Sequence, residues 1–243
     1  MTTHVCALSG GKDSTALALR LKETEPDLPM IYVCTPTGDE LPDMVEHWRK
    51  LGDLLGTPLL PVTGGNSLNG LIARWQRLPN HRQRWCTRVL KLEPYYRFLA
   101  ERSPAVSYVG LRADEESRQG MSFPEVGNIK VRFPMREWGW TESDVWAYLA
   151  EKCVDIPRRT DCARCYHQTI GEWWTLWREQ PDLWAEAEAQ EAAVSMHRGR
   201  EYTFRNKARD TWPADLAGLR REFESGREPR KSKRSTMCRV CSL

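Results

Sequence analysis

The most restrictive feature of this chain lies close to its start. Val5-Cys6-Ala7-Leu8 is a short apolar run of strand type, Ser9-Gly10-Gly11-Lys12-Asp13-Ser14 is a glycine turn, and Ser14 to Lys22 begins an apolar-periodic helix. Strand, glycine loop and helix in direct succession form the unit in which backbone N–H groups and a helix N-terminus converge on an anion. Gly10 and Gly11 let the backbone turn tightly and approach phosphate oxygens with no Cβ in the way. Lys12 adds a mobile positive charge, and Ser9 and Ser14 add hydroxyl donors. The GxxxxGK(S/T) spacing is absent, because the glycines are adjacent and Lys12 is followed by Asp13. The stretch is expected to grip nucleotide phosphates.

The same alternation continues downstream. Met30 to Cys34 (MIYVC) predicts a strand buried on both faces, followed by a helix over roughly 42–55 and a third strand over Leu59 to Val62. A polar, arginine-rich connection runs through Gln83 to Trp85-Cys86 and a helix over about 88–102; Val106 to Leu111 (VSYVGL) predicts another buried strand. Strands alternating with helices imply an α/β fold with a doubly wound, Rossmann-like parallel sheet, whose ligands sit beyond the carboxyl ends of the strands. The glycine loop, Thr35 to Glu40 and Gly110 to Arg118 all fall at such ends.

From about residue 120 the character changes. Residues 1–120 read as the nucleotide-binding core, 121–225 as a helical, cysteine-containing C-terminal elaboration, and 226–243 as a basic flexible tail ending in a CxxC pair. Residues 132–135 look like a strand end before a helix whose Thr141 and Asp144 suit a capping box. One long helix is expected over roughly 169–195, with Trp173, Trp177 and Trp184 on one face. That face suits packing; stacking on nucleic-acid bases is the sharper alternative.

The net charge of +3 does not by itself argue for nucleic acid. Arg227 to Arg234 (REPRKSKR) is a basic run, read as a solvated terminus or as a phosphate-backbone contact. No apolar run reaches membrane-span length and the start lacks a leader pattern, so a cytoplasmic protein with no membrane partner is expected. In a reducing compartment its eight cysteines point to metal, catalysis or burial rather than disulfides.

With the glycine loop, TGDELPDM and GLRADEESR together, the order of motifs resembles the phosphoadenosine phosphosulfate (PAPS) reductase-like branch of the PP-loop ATP pyrophosphatases, over about residues 4–190. The resemblance implies that Ser9, Gly10, Gly11, Lys12, Asp13 and Ser14 hold nucleotide phosphates. It makes Gly110 and Arg112, and more loosely Arg118, the family's Gly-x-Arg turn. Where the family has an Asp-Thr-Gly turn, this chain has Pro36, Thr37 and Gly38, with Asp39 or Glu40 as substitutes for the missing carboxylate. Lys12, Asp13 and Arg112 are the expected catalytic groups. Guanidinium forks suit phosphate oxygens, and Mg²⁺ near Asp13, with Asp39 next, would neutralise charge developing on pyrophosphate as ATP is split.

Cys162-Ala-Arg-Cys165 brings two thiols together without naming a metal. It reads as a buried pair, as half of a zinc ribbon with Cys238 and Cys241, as a redox couple, or as part of an iron–sulfur site. The last reading leads, since Trp85 to Lys91 resembles the helix start that supplies cluster ligands in iron–sulfur members of the family. Cys86, Cys162 and Cys165 are thus the expected ligands of a 4Fe-4S cluster, with Cys153, Cys238 or Cys241 as the fourth, or with one iron open. Cys6 and Cys34 lie in predicted strands and are expected to be buried.

Three functions follow. The first is an ATP pyrophosphatase that adenylates an acceptor, nucleic acid, for sulfur insertion. It resembles most the pyrophosphatase component of DNA phosphorothioation systems and next a tRNA thiolase, and implies a cysteine desulfurase or another sulfur donor protein as partner. The second is a sulfonucleotide reductase with a cysteine nucleophile, against which the intact loop and the unlike C-terminal ending count. The third is a catalytically silent nucleotide-binding subunit, which Pro36 would suit.

Overall fold

Five parallel strands in the order β3-β2-β1-β4-β5 form the only sheet among the described residues of the computed structural model, which are 1–118, 128–205 and 210–230. β1 (Thr3–Ala7) runs through Val5 and Cys6, both fully buried, and pairs with β2 (Met30–Cys34) on one side and β4 (Ala105–Tyr108) on the other. β3 (Leu60–Pro61) closes one edge and β5 (Ile129–Arg132) the other. The chain winds outward from β1 through β2 to β3, then returns to the far side of β1 for β4 and β5. The reversal lies between β1 and β4, where such sheets bind ligands. Because β5 belongs to the sheet, the sheet layer continues past residue 120.

Strand alternation divides the core. Cys6 and Tyr108 face α1 (Lys12–Thr24), α2 (Pro42–Leu55) and, later in the chain, residues 142–151. Val5, Val33 and Ala105 face Tyr95, Phe98 and Leu99 of residues 93–100. The expected helices at 14–22 and 42–55 are present, the second with the same bounds. The segment expected to be a plain connection through Gln83 contains α3 (Leu68–Trp75): Ser67 Oγ accepts from the Gly70 N–H at 3.1 Å, and Leu68, Leu71 and Ile72 are buried. α4 (Trp85–Thr87), a π-helical turn (Arg88–Leu92) and α5 (Glu93–Ala100) follow as one continuous helical stretch. After β5 come α6 (Pro134–Glu137) and α7 (Glu142–Glu151), whose Thr141–Asp144 capping box is formed as expected.

The expected helix over 169–195 is two helices, α8 (Ile170–Glu179) and α9 (Pro181–Arg198). Pro181 has no N–H for the α8 ladder and its ring would clash with a carbonyl one turn back, so Gln180 ends one helix and begins the next. The Trp173 and Trp184 rings nevertheless meet edge to face at 6.0 Å, fully inside a third core with α3 and α10 (Leu216–Glu224). Trp177, partly buried, packs on Phe223. These tryptophans are packing residues. No helix among the described residues is long and apolar enough to cross a membrane.

Candidate functional site

At the carboxyl end of β1 the chain turns through Gly10 at φ +79°, and a Cβ there would stand 1.8 Å from Met44 Cε. Gly11 is the N-cap of α1, and no side chain caps that end, so the first-turn N–H groups face outward for an anion. α2 holds the turn from behind: buried His47 meets Thr15 Oγ1 through Nε2 at 3.2 Å. Burial holds the His47 imidazole below its ordinary pKa, hence neutral. Gly110, after β4, lies so close that a Cβ would meet the Asp13 carbonyl carbon at 3.2 Å.

A chain of ion pairs crosses this switch point. Lys12 Nζ reaches Asp13 Oδ2 at 3.0 Å and Glu142 Oε1 at 3.5 Å; Arg112 Nη1 donates to Asp13 Oδ1 at 3.0 Å and Nε to Asp114 at 2.8 Å. Glu115 accepts from the Arg112 backbone N–H at 3.1 Å and pairs with Arg118. The Asp114 carboxylate also accepts the Glu142 N–H at 3.3 Å, which ties α7 to this loop. Ser9, Gly11, Asp13, Ser14, Gly110, Arg112 and Arg118 of the expected set line one cavity. Gly10 and Lys12 sit behind its wall, Lys12 only 2% exposed and held by carboxylates.

The Thr37 turn is built around Glu40. Its carboxylate accepts the Thr37 N–H and hydroxyl, each at 2.6 Å, and the Gly38 N–H at 2.9 Å. Asp39 is turned away from the nucleotide cavity, where a cation role had been expected. Its carboxylate is fully buried against Arg164, at 2.7 Å from Nη2 and 3.1 Å from the backbone N–H. Burial outweighs the guanidinium and raises the Asp39 carboxyl to about 6, which leaves it ionised at neutral pH. Asp39 thus ties the turn after β2 to the CxxC loop. The Ala163 N–H donates to the Asp39 carbonyl at 2.7 Å as a second tie, and Arg159 braces the CxxC loop itself, donating to Asp161, Gln168 and the Cys162 carbonyl.

Cys86, Cys162 and Cys165 line a second, smaller cavity together with Thr37, Arg84 and Arg164. Cys86 comes from α4, the other two from a tight turn in which the Cys165 N–H donates to the Cys162 carbonyl at 3.2 Å. Burial, then the neighbouring Cys162, pushes the Cys86 thiol up to about 11. The Cys165 thiol is raised as well, first by its hydrogen bond with Cys162 and then by burial. Cys153 is exposed at the end of α7, outside this cavity, and Cys238 and Cys241 lie outside the described residues. Cys6 and Cys34 are buried, as expected. Among the described residues no three His, Cys, Asp or Glu side chains stand in geometry to hold a single metal ion. The donor set nonetheless suits an anionic, thiolate-held group, because the fully buried Arg164 keeps Nε and Nη1 without a hydrogen-bond partner at this cavity.

Thr87, Lys91 and Cys162 line both cavities. Sequence reading assigned no role to Thr87 or Lys91, or to Trp48 and Asp161 of the nucleotide cavity. Asp161 adjoins Cys162 and was legible by position; Lys91 comes inward on a π-helical turn, which no periodicity announces.

Residues 3–159 match the phosphoadenosine phosphosulfate reductase domain. Two uncharacterized proteins of Methanocaldococcus jannaschii are similar, one 26% identical over 196 residues (73% of this chain, 39% of that protein) and one 28% over 148 residues (59% and 35%). The chain thus spans under two fifths of the length of these relatives. Among solved structures, the PAPS reductase of Candida auris in its phosphate complex aligns with a TM-score of 0.48 at 18% identity, covering 64% of this chain and 75% of that one. The U34-tRNA thiolase NcsA of Methanococcus maripaludis, with its 4Fe-4S cluster, aligns with a TM-score of 0.48 at 18% identity, covering 100% and 80%.

Proposed function

Because this chain belongs to the phosphoadenosine phosphosulfate reductase domain family, we propose that it is an ATP pyrophosphatase that adenylates an acceptor, a nucleic acid, for sulfur insertion. The observation that carries this reading is the shared wall: Thr87, Lys91 and Cys162 face the phosphate-gripping cavity and the thiol cavity alike. An acceptor oxygen activated in one cavity would lie within reach of sulfur chemistry in the other, which makes proximity the main source of rate.

The uncapped α1 N-terminus and the Ser9 to Ser14 loop would take the phosphates, with Arg112 and Arg118 lining the same cavity. The acceptor oxygen attacks the α-phosphorus and pyrophosphate leaves; sulfur then displaces AMP. Asp13 has lone pairs left beyond its bonds to Lys12 and Arg112, and would hold Mg²⁺, whose charge stabilises the departing pyrophosphate. Lys12 and Arg112 hold that carboxylate in place. Cys86, Cys162 and Cys165 would hold the iron–sulfur cluster, which supplies soft iron with affinity for sulfur. Arg84, Lys91 and Arg164 line its cavity with positive charge.

Anaerobic equilibrium binding of ATP against PAPS, with Mg²⁺, tests the proposal. ATP is expected to bind at least tenfold more tightly, about 1.4 kcal/mol. Tighter binding of PAPS would overturn it in favour of sulfonucleotide reduction.

A further inference from the structure

From Gly56 to Leu92, between α2 and α5, the chain carries no Asp or Glu, yet it holds Arg74, Arg77, Arg82, Arg84, Arg88 and Lys91. The fold brings the C-terminal end of α9 onto this acid-free stretch. Arg198 donates through Nε to the Gln76 carbonyl at 2.9 Å and through Nη2 to the Trp75 carbonyl at 3.1 Å, closing the end of α3. Arg200 stacks over the Tyr202 ring at 4.8 Å and donates to its hydroxyl. Arg200 first, and then Arg198 and Arg77, hold the Tyr202 phenol below its ordinary pKa, so all three guanidiniums act on the one ring.

Many arginines elsewhere in the molecule are matched by carboxylates, as at Arg49, Arg112, Arg132 and Arg220. Here they are not. Among the described residues Arg74, Arg77, Arg82, Arg198 and Arg200 form no ion pair; Arg77 donates to the neutral Gln83 at 2.7 Å. Carboxylates of α9 are engaged elsewhere, Glu186 with Arg164 at 2.8 Å and Glu188 with Arg220 at 3.1 Å. Glu201 is the one carboxylate within residues 74–84 and 198–202, against Arg74, Arg77, Arg82, Arg84, Arg198 and Arg200, so the face carries an excess of positive charge that suits a polyanion.

Apolar and ring surfaces lie among these charges. Trp75 is 38% exposed and rests edge to face on Trp85 at 5.0 Å, and Met196 is 84% exposed. The face also leads to the thiols. His81 meets Tyr166 and His167 edge to face at 5.1 and 4.8 Å, and Pro79 and Arg84 of the same loop line the cavity of Cys86, Cys162 and Cys165.

We infer that the face formed by residues 74–84 and 198–202 binds a single-stranded polynucleotide, its phosphates on Arg77, Arg198 and Arg200 and a base on Trp75, and guides it to the thiol cavity. Guanidinium groups interleaved with an exposed ring are what an unpaired strand requires, since backbone charge supplies affinity and stacking tolerates any base. The inference rests on the proposed function for the reason a polynucleotide should arrive here, but the surface is tested apart from it.

The test is fluorescence anisotropy of a labelled single-stranded oligodeoxynucleotide of about 20 nucleotides, longer than a typical single-strand site, titrated with the full chain at several salt concentrations. Arg198 is left intact because it closes α3. The double variant Arg77→Gln, Arg200→Gln is expected to bind about tenfold or more weakly, with a log K against log salt slope shallower by about 1.4, or about 0.7 per lost phosphate contact. Trp75→Ala is expected to weaken binding without changing that slope. Unchanged ATP affinity and melting temperature in each variant would show that the fold and the phosphate loop are intact. The inference is overturned if the wild type does not bind the strand, if the double variant keeps affinity and slope, or if polyglutamate or phosphatidylserine vesicles bind equally well. A wild type that binds the strand but not ATP would instead sink the proposed function and leave the surface standing.

Discussion

Asp39 and Arg164 join the turn after β2 to the CxxC loop through a pair of side chains each about 1% exposed. Removing one member of such a pair leaves the other charge buried and uncompensated, which costs far more than an exposed pair contributes. Arg164→Met is therefore expected to lower unfolding free energy by about 3–5 kcal/mol, because the Asp39 carboxyl, already raised to about 6 by burial, is left without its guanidinium. A urea titration measures the loss. The double change Asp39→Leu, Arg164→Met should lose less than the single one, and an equal or larger loss would mean that the pair has no special weight. At this scale the sequence was readable where residue type and position coincide. Ser9 to Ser14, Gly110 and Arg112 sit where the strand ends placed them, and Cys86 meets Cys162 and Cys165 at one cavity. The direction of a side chain was not readable. Asp39 and Glu40 are adjacent carboxylates, but one turns to the CxxC loop and the other folds back on its own turn. Lys12 reads as a cation free for phosphate until Glu142, from a helix 130 residues away, is seen beside it.

Among the elements, the α9–α10 contact contains a buried acid. Glu191 is 4% exposed, accepts the Leu216 N–H at 2.9 Å through Oε2, and leaves Oε1 without a partner. Burial raises its carboxyl to about 8, with Asp215 and Glu201 adding to the shift. The folded protein therefore holds a proton that the unfolded chain gives up above about 4.5. Stability from this group falls as pH rises from that value to about 8, by up to about 1.4 kcal/mol per unit, and is level beyond. Glu191→Gln keeps the shape and the acceptor without the titration. Its melting temperature should match the wild type near pH 5, exceed it increasingly up to about pH 8 and by a constant margin beyond; parallel curves from about pH 5 to 8 would show that Glu191 does not titrate in this window. The strands and the helices over 42–55 and 142–151 were legible because their apolar residues repeat at the period of the element. The spacing of Leu68, Leu71 and Ile72, and of Leu216, Leu219 and Phe223, is equally helical, but both lie among arginines and loop residues that dominate a reading by composition. The break at Pro181 was missed although its signal was in the sequence, because proline at the first position of a helix marks a start.

Across the whole molecule, the wall shared by the two cavities predicts that what binds on one side is felt on the other. Thr87 and Lys91 belong to the helical stretch that also carries Cys86, and Cys162 belongs to the loop held by Asp39 and Arg159. Reconstitution with iron and sulfide would fix these thiols and release their protons, because burial and neighbouring thiols keep Cys86 and Cys165 protonated in the free protein. Fixing the thiols fixes Lys91, and with it one wall of the phosphate cavity. If reconstitution changes ATP affinity by some factor, linkage requires ATP to change the affinity for the thiol-bound group by the same factor. We expect a coupling of about 1–3 kcal/mol, read as the ratio of ATP dissociation constants with and without reconstitution under anaerobic conditions. Cys162→Ala removes the thiol that both cavities share and should bring that ratio to one while leaving ATP bound. Cys153→Ala, outside both cavities, should leave the ratio as it is in the wild type. Equal ATP affinities before and after reconstitution of the wild type, with the visible absorbance of the bound group confirmed, would mean that the two cavities touch without communicating.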